Sequence, residues 1–238
     1  MDHSYIDKNL ENVRKRIADA AARAGRDASK ITMLAAIKSA DVDEISHICQ
    51  KCGVTAIGEN RVQQLTERYE KLEEPSVEWH FIGSLQTNKV KYIIDKVSLI
   101  HSLDSERLAE EIQKQAQKRS IVANVLVEIN SGGEESKGGI DPASVADFCV
   151  SLGKYPNIRL CGFMTMAPRC EDKKDYYAYF NNTKRIADEV WHSVLGLDGE
   201  PVVSMGMSES FEEAIECGAT MVRIGRCLFA HDDPSINQ

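Results

Sequence analysis

A chain of 238 residues with 42% hydrophobic and 28% charged side chains has the composition of a globular protein and can bury most of its apolar surface in one core. Its net charge of −8, with Lys and Arg scattered among the acids, excludes nucleic acid and an anionic membrane as the main partner. An anionic small ligand would need local positive groups that overcome this field. No stretch reaches the apolar length of a membrane span. The first twenty residues are charged throughout, so no secretory signal is expected and the location expected is cytoplasmic. The seven cysteines lack framework spacing and read as reduced thiols.

Residues 5–25 carry helically spaced apolar positions (Ile6, Leu10, Val13, Ile17, Ala20, Ala21) closed by Gly25. A strand-then-helix alternation follows. Strand-like runs are predicted at 31–37, 55–58, 78–83, 98–103, 122–129, 158–166, 201–205 and 220–225. Helical patterns fill the gaps at 41–52, 60–72, 87–95, 104–118, 142–153, 172–193 and 208–217. Cys49 and Cys52 form a C-x-x-C near the end of the second helix. No second pair or His follows at zinc spacing, so buried structural cysteines are expected there.

Eight strands interleaved with helices predict a parallel sheet, and eight is the number that closes. The expected fold is therefore α/β, a (β/α)8 TIM barrel with an additional N-terminal helix, with residues 1–238 as a single domain. Chemistry in such a barrel belongs on the loops after the strands. Lys38 follows the first strand, with Ala35-Ala36-Ile37 behind it. An apolar floor would desolvate the amine and make it a nucleophile toward an aldehyde, although a solvated lysine fits the position equally well. The seventh strand runs into Ser204-Met205-Gly206-Met207-Ser208, where Gly206 permits close backbone approach and Ser208 is a natural N-cap. The eighth ends Arg223-Ile224-Gly225. Loops after strands seven and eight commonly bind phosphate, so a phosphate site is expected here.

The segments ITMLAAIKS, GENRVQQL, WHFIGSLQTNKVK, VEINSGGEESKGGI, GFMTMAP, SMGMSESFEEAI and VRIG, in order from about residue 5 to residue 230, resemble the pyridoxal phosphate homeostasis proteins. These are barrels of the alanine racemase type without the racemase's second domain. The resemblance implies pyridoxal 5′-phosphate held as a Schiff base on Lys38. It implies a phosphate cradle of Ser208 and the backbone at Gly206 and Gly225 with Ser204 nearby, and Arg223 beside the pyridine nitrogen. Asn60 and Met164 match positions lining the cofactor pocket. His80 and Lys137 match motif positions without an assigned role, and His80 fits a core histidine better. Two positions depart from the pattern. Arg226 replaces a small hydroxyl residue after RIG, where it either contacts phosphate or points to solvent. Gly162-Phe163-Met164 stands for the usual GLM.

Bound pyridoxal phosphate also invites a racemase-like enzyme with weak or unidentified activity. Arg223 cannot take up a proton, so it would leave the ring nitrogen neutral and carbanions unstabilised. The racemase's second-domain tyrosine has no expected counterpart. The expectation is a non-catalytic, monomeric protein that buffers or delivers the cofactor to apo enzymes that depend on it. The racemase-like enzyme stays open, as does a plain phosphate-sugar-binding barrel.

Overall fold

The computed structural model describes residues 3–72, 76–133 and 138–231; Lys137 lies outside them. The strands are Thr32–Ala36 (β1), Ala56–Glu59 (β2), Glu78–Phe81 (β3), Leu99–Leu103 (β4), Ala123–Ile129 (β5), Ile158–Thr165 (β6), Val202–Ser204 (β7) and Met221–Ile224 (β8). All neighbours are parallel and β8 pairs with β1, so the sheet closes in sequence order. The helices are Ser4–Arg23 (α1), Val42–Gln50 (α2), Val62–Tyr69 (α3), Glu106–Arg119 (α4), Val145–Ser151 (α5), Lys173–Asp188 (α6), Phe211–Glu216 (α7) and Arg226–Phe229 (α8). No helix among the described residues is long and apolar enough to cross a membrane.

Apolar residues form two separate clusters, as strand pleating demands. The larger lies between barrel and helices and includes Ala35, Ile37, Ile57, Phe81, Val127, Phe163 and Val222. The smaller fills the lumen with Leu34, Ala36, Ala56, Ile82, Leu99, Leu126, Met164 and Met221. The additional helix α1 buries the predicted stripe Ile6, Leu10, Val13, Ile17, Ala20 and Ala21. It is pinned to α8 by the Asn9 side chain, which donates to the carbonyls of Leu228 (3.1 Å) and Ala230 (3.0 Å).

Three helix expectations need correction. Residues 87–95 form a 3₁₀ turn, Thr87–Tyr92. Val90, Ile93 and Ile94 bury there without a longer apolar stripe to carry a helix. The helix expected over 142–153 splits into a 3₁₀ turn started by Pro142, the α-helix α5 and a second 3₁₀ turn, Leu152–Lys154. The helix expected from 208 begins at Phe211. Ser208 therefore does not cap α7, because Gly206 turns the chain at φ +86° and residues 207–210 close a turn first (Ser210 N–H to the Met207 carbonyl, 2.9 Å).

The β5–β6 register shifts between Val125 and Leu126, and Leu126 then pairs with Gly162. Gly162 has φ +147°, and a Cβ there would lie 2.0 Å from the Val202 carbonyl oxygen. This bulge re-aims β6 so that Phe163 packs outward and Met164 inward. Gly162→Ala should cost about 3 kcal/mol or more in chemical denaturation. Gly25→Ala has φ +64° but open space around its Cβ, and should cost only about 1 kcal/mol. Equal costs would show that backbone conformation alone explains Gly162.

Candidate functional site

Pleating that sends Leu34 and Ala36 into the lumen carries Lys38 to the mouth two residues later. The same count places Asn60 after β2, His101 on β4, Glu128 on β5, Met164 on β6, Ser204 on β7 with Gly206 just after it, and Arg223 on β8 with Gly225 just after it. A cavity of about 640 Å³ opens at this end, within the usual range of small-molecule sites. A second, of about 650 Å³, lies at the opposite end around Arg26, Lys30, Glu200 and Thr220. Barrel chemistry belongs to the C-terminal ends of the strands, and the convergent functional groups are there.

Lys38, Gly206, Ser208, Arg223 and Gly225 all line the C-terminal cavity. Three other expected residues fall outside that lining. Ser204 is fully buried beneath Arg223, and Met164 belongs to the lumen packing. Asn60 stands beyond β2 with its Oδ1 buried and without a hydrogen-bond partner among the described residues, a polar acceptor that bound water or ligand would satisfy. Sequence reasoning missed Thr165, Arg169, Tyr176, Phe180 and Phe229, which also line the cavity. Among the described residues that line it, Lys38, Arg169, Arg223 and Arg226 stand against one acid, Glu209. The local balance is thus positive in a chain of net charge −8, as an anionic ligand requires.

Arg223 is only 4% exposed. Its guanidinium donates to the Ser204 carbonyl (2.8 Å), the Ser204 Oγ (2.8 Å) and the Thr165 carbonyl (2.9 Å). Burial pushes its pKa down to about 10 while Glu128 opposes that shift, so it remains a cation at neutral pH. Ser204 Oγ also lies 3.1 Å from His101 Nδ1, and His101 Nε2 lies 2.9 Å from His80 Nδ1. Counting protons orders this chain. Arginine only donates, so Ser204 accepts from it and gives its own proton to His101 Nδ1. His101 then carries its proton on Nε2 and donates to His80. Burial holds both imidazoles below their ordinary range, consistent with neutral rings. His80 is the core histidine expected, but only half satisfied: its Nε2 has no hydrogen-bond partner among the described residues, and Glu78 lies 3.6 Å away.

The turn bearing Lys38 is fixed from the neighbouring strand. Glu59, fully buried, accepts from the N–H groups of Asn60 (2.6 Å) and Arg61 (3.3 Å) and pairs with Arg68. Arg68 in turn donates to the carbonyls of Ile37 (2.8 Å) and Ala40 (2.6 Å), which flank Lys38. Lys38 itself is exposed. The apolar floor lies beneath the turn, in Leu34 and Ala36, and not around the side chain.

On the facing wall, Ser208 Oγ accepts from the N–H groups of Gly225 (3.4 Å) and Cys227 (3.3 Å), joining the loops after β7 and β8. Gly225 allows closure onto β1, since a Cβ there would lie 2.9 Å from the Ala36 carbonyl oxygen. Gly206 is required by its positive φ and by packing, with Ala214 Cβ 2.5 Å from a would-be Cβ. Arg226 pairs with Glu209 (2.5 Å) at the rim.

Residues 8–233 match the family described as alanine racemase, N-terminal domain. A pyridoxal phosphate homeostasis protein from Aquifex aeolicus is 45% identical over 223 residues, 93% of this chain and 96% of the relative. The structure of PipY from Synechococcus elongatus with PLP bound is similar at a TM-score of 0.78 and 26% identity, covering 92% of this chain and 100% of that one. An alanine racemase from Clostridium difficile shares the fold at a TM-score of 0.76 and 19% identity, with 98% of this chain matched to 58% of the racemase.

Glu128 supplies a pH test of the lumen. Burial, with Asp104 adding to it and Arg223 opposing it, pushes its carboxyl from 4.5 up to about 7. Between those values the folded protein holds a proton that the unfolded chain has released. The stability from this group is complete below 4.5 and is lost as pH rises through about 7. Glu128→Gln should therefore stabilise the fold by up to about 3 kcal/mol at about pH 8.5 and far less at about pH 5. Denaturation curves at both pH values check this, and an equal effect at both would contradict it.

Proposed function

The chain belongs to the pyridoxal phosphate homeostasis proteins, a family built on the alanine racemase N-terminal domain, and on that premise we propose that it binds pyridoxal 5′-phosphate at the barrel mouth through a Schiff base on Lys38. It buffers the cofactor in the cytoplasm, or delivers it to apo enzymes that use it, and it acts as a single-domain monomer without turning over amino acids.

The observation that carries this reading is the donor set around the C-terminal cavity. An exposed amine at Lys38, three arginines and the Ser208 hydroxyl converge there. An amine bonds an aldehyde, guanidinium groups attract phosphate, and a hydroxyl beside loop amides hydrogen-bonds it. The set suits one small molecule bearing both an aldehyde and a phosphate. Ser208 and the backbone at Gly206 and Gly225 would hold the phosphate, and Arg223 the ring nitrogen. Asn60 and Met164 would border the ring, and Ser204 would serve indirectly by fixing Arg223.

Bound pyridoxal phosphate supplies an electron sink, which works best with its ring nitrogen protonated. Arg223 works against that use. Its donors are pinned by two carbonyls and a hydroxyl, and a guanidinium has no lone pair with which to accept a proton. It favours an unprotonated nitrogen beside it. Lys38 is exposed at the cavity mouth, where an aldehyde can reach its amine.

Borohydride reduction followed by peptide mapping tests the attachment. The label should appear on the peptide containing Lys38. Lys38→Ala should lose the visible absorbance of bound cofactor while unfolding at the same temperature when cofactor-free, because an exposed side chain adds little to stability. A label on another lysine, Lys137 for instance, would overturn the assignment.

A further inference from the structure

On the outer layer, away from the cavity, three groups of different chemistry meet where α1 packs on α2. Asp7 comes from the first turn of α1, His47 from the last turn of α2, and Cys52 from the turn after α2. Asp7 Oδ1 lies 2.7 Å from His47 Nε2 and 3.1 Å from Cys52 Sγ. One donor atom from each residue lies within 4.8 Å of the other two, the sole group of this kind among the described residues.

The backbone behind these side chains is braced. Arg14 donates to the Cys52 carbonyl (2.9 Å), Tyr5 bonds to Glu44, and a capping box of Asp41 and Glu44 fixes the start of α2. Gly53 turns the chain just after Cys52 at φ +68°. The His3 ring lies 5.1 Å from that of His47. The three functional groups are thus held together by elements whose placement does not depend on their own hydrogen bonds.

We propose that Asp7, His47 and Cys52 form a zinc site that staples α1 to α2, with solvent water in the fourth position. A thiolate, an imidazole and a carboxylate are the donor types zinc takes, and their mixture favours zinc over magnesium or calcium, which prefer oxygen. Donors on a tetrahedral zinc ion stand roughly 3.5 Å apart, so the present contacts need open by less than about 1 Å. Charge closes as well. Thiolate plus carboxylate carry −2, which neutralises one Zn²⁺. The Cys52 sulfur–hydrogen bond breaks, a zinc–sulfur bond forms, and one proton leaves to solvent. His47 shifts its proton to Nδ1, with no net release.

A cation would replace the protons that His47 and Cys52 now share with Asp7. The C-x-x-C contributes one sulfur only, because Cys49 is buried in the helix–barrel core. The partners of Cys52 precede it in sequence, which is why zinc spacing read forward found none.

The full chain, reduced and stripped of metal, is titrated with Zn²⁺ by calorimetry and with Co²⁺ as an optical probe. One equivalent should bind, with thiolate-to-cobalt charge transfer in the near ultraviolet, release of the Cys52 proton and a raised melting temperature. Cys52→Ser should abolish the charge-transfer band. Cys52→Ser, Asp7→Asn and His47→Gln should each weaken Zn²⁺ by about tenfold or more, while Cys161→Ser changes neither readout. These side chains are partly exposed, so the variants should fold as the parent does. Absence of stoichiometric binding, or equal affinity across all variants, would overturn the site.

Discussion

The guanidinium of Arg223 sets the terms for the rest of the barrel. A cation enclosed in a lumen is tolerable only where fixed acceptors meet its donors. The Ser204 and Thr165 carbonyls do so from β7 and β6, together with the Ser204 hydroxyl. Two consequences follow. The polar groups that complete the arrangement, Ser204, His101, His80 and Glu128, displace apolar packing from one side of the lumen. The guanidinium is also presented to the cavity as a rigid donor with no basic counterpart. A carboxylate there would pass a proton to a bound heterocycle; an arginine withholds it.

Lys38 is held by a comparable device on the other wall. The buried Glu59 would be costly alone, and Arg68 both pairs with it and reaches the carbonyls on either side of Lys38. One ion pair thereby joins β2 and α3 to the turn after β1. The lysine side chain remains in solvent while its backbone is fixed. This division fits a reversible attachment point. Association would be guided by Arg169, Arg223 and Arg226 against the negative field of the whole molecule.

Much of this was legible in the sequence, for reasons visible in particular residues. The β-branched and aliphatic runs are long and the intervening stripes strongly periodic, so all eight strands fall within two residues of their expected ends. Period-two counting from Leu34 reaches Lys38, and from Met221 it reaches Arg223 and Gly225. Applied to β4 and β5 the same count would have exposed His101 and Glu128, a signal present but unused. Other features depend on contacts no local pattern encodes. Arg169, from the loop after β6, and Tyr176 and Phe180, from α6, reach the cavity through the packing of that loop and helix at the barrel mouth. Ser208 bonds to the amides of Gly225 and Cys227 because two loops meet, while the Gly206 turn denies it the helix cap its residue type suggests.

On the proposed reading, Arg223 makes this a holder of the cofactor and not a user of it. The most direct measurement is α-proton exchange in deuterated water, followed by NMR, for alanine, serine and a wider amino-acid panel with the cofactor-loaded protein. No exchange beyond that of free pyridoxal phosphate is expected. Exchange that depends on Lys38 and proceeds at about one per second or faster, an ordinary enzyme turnover, would contradict it.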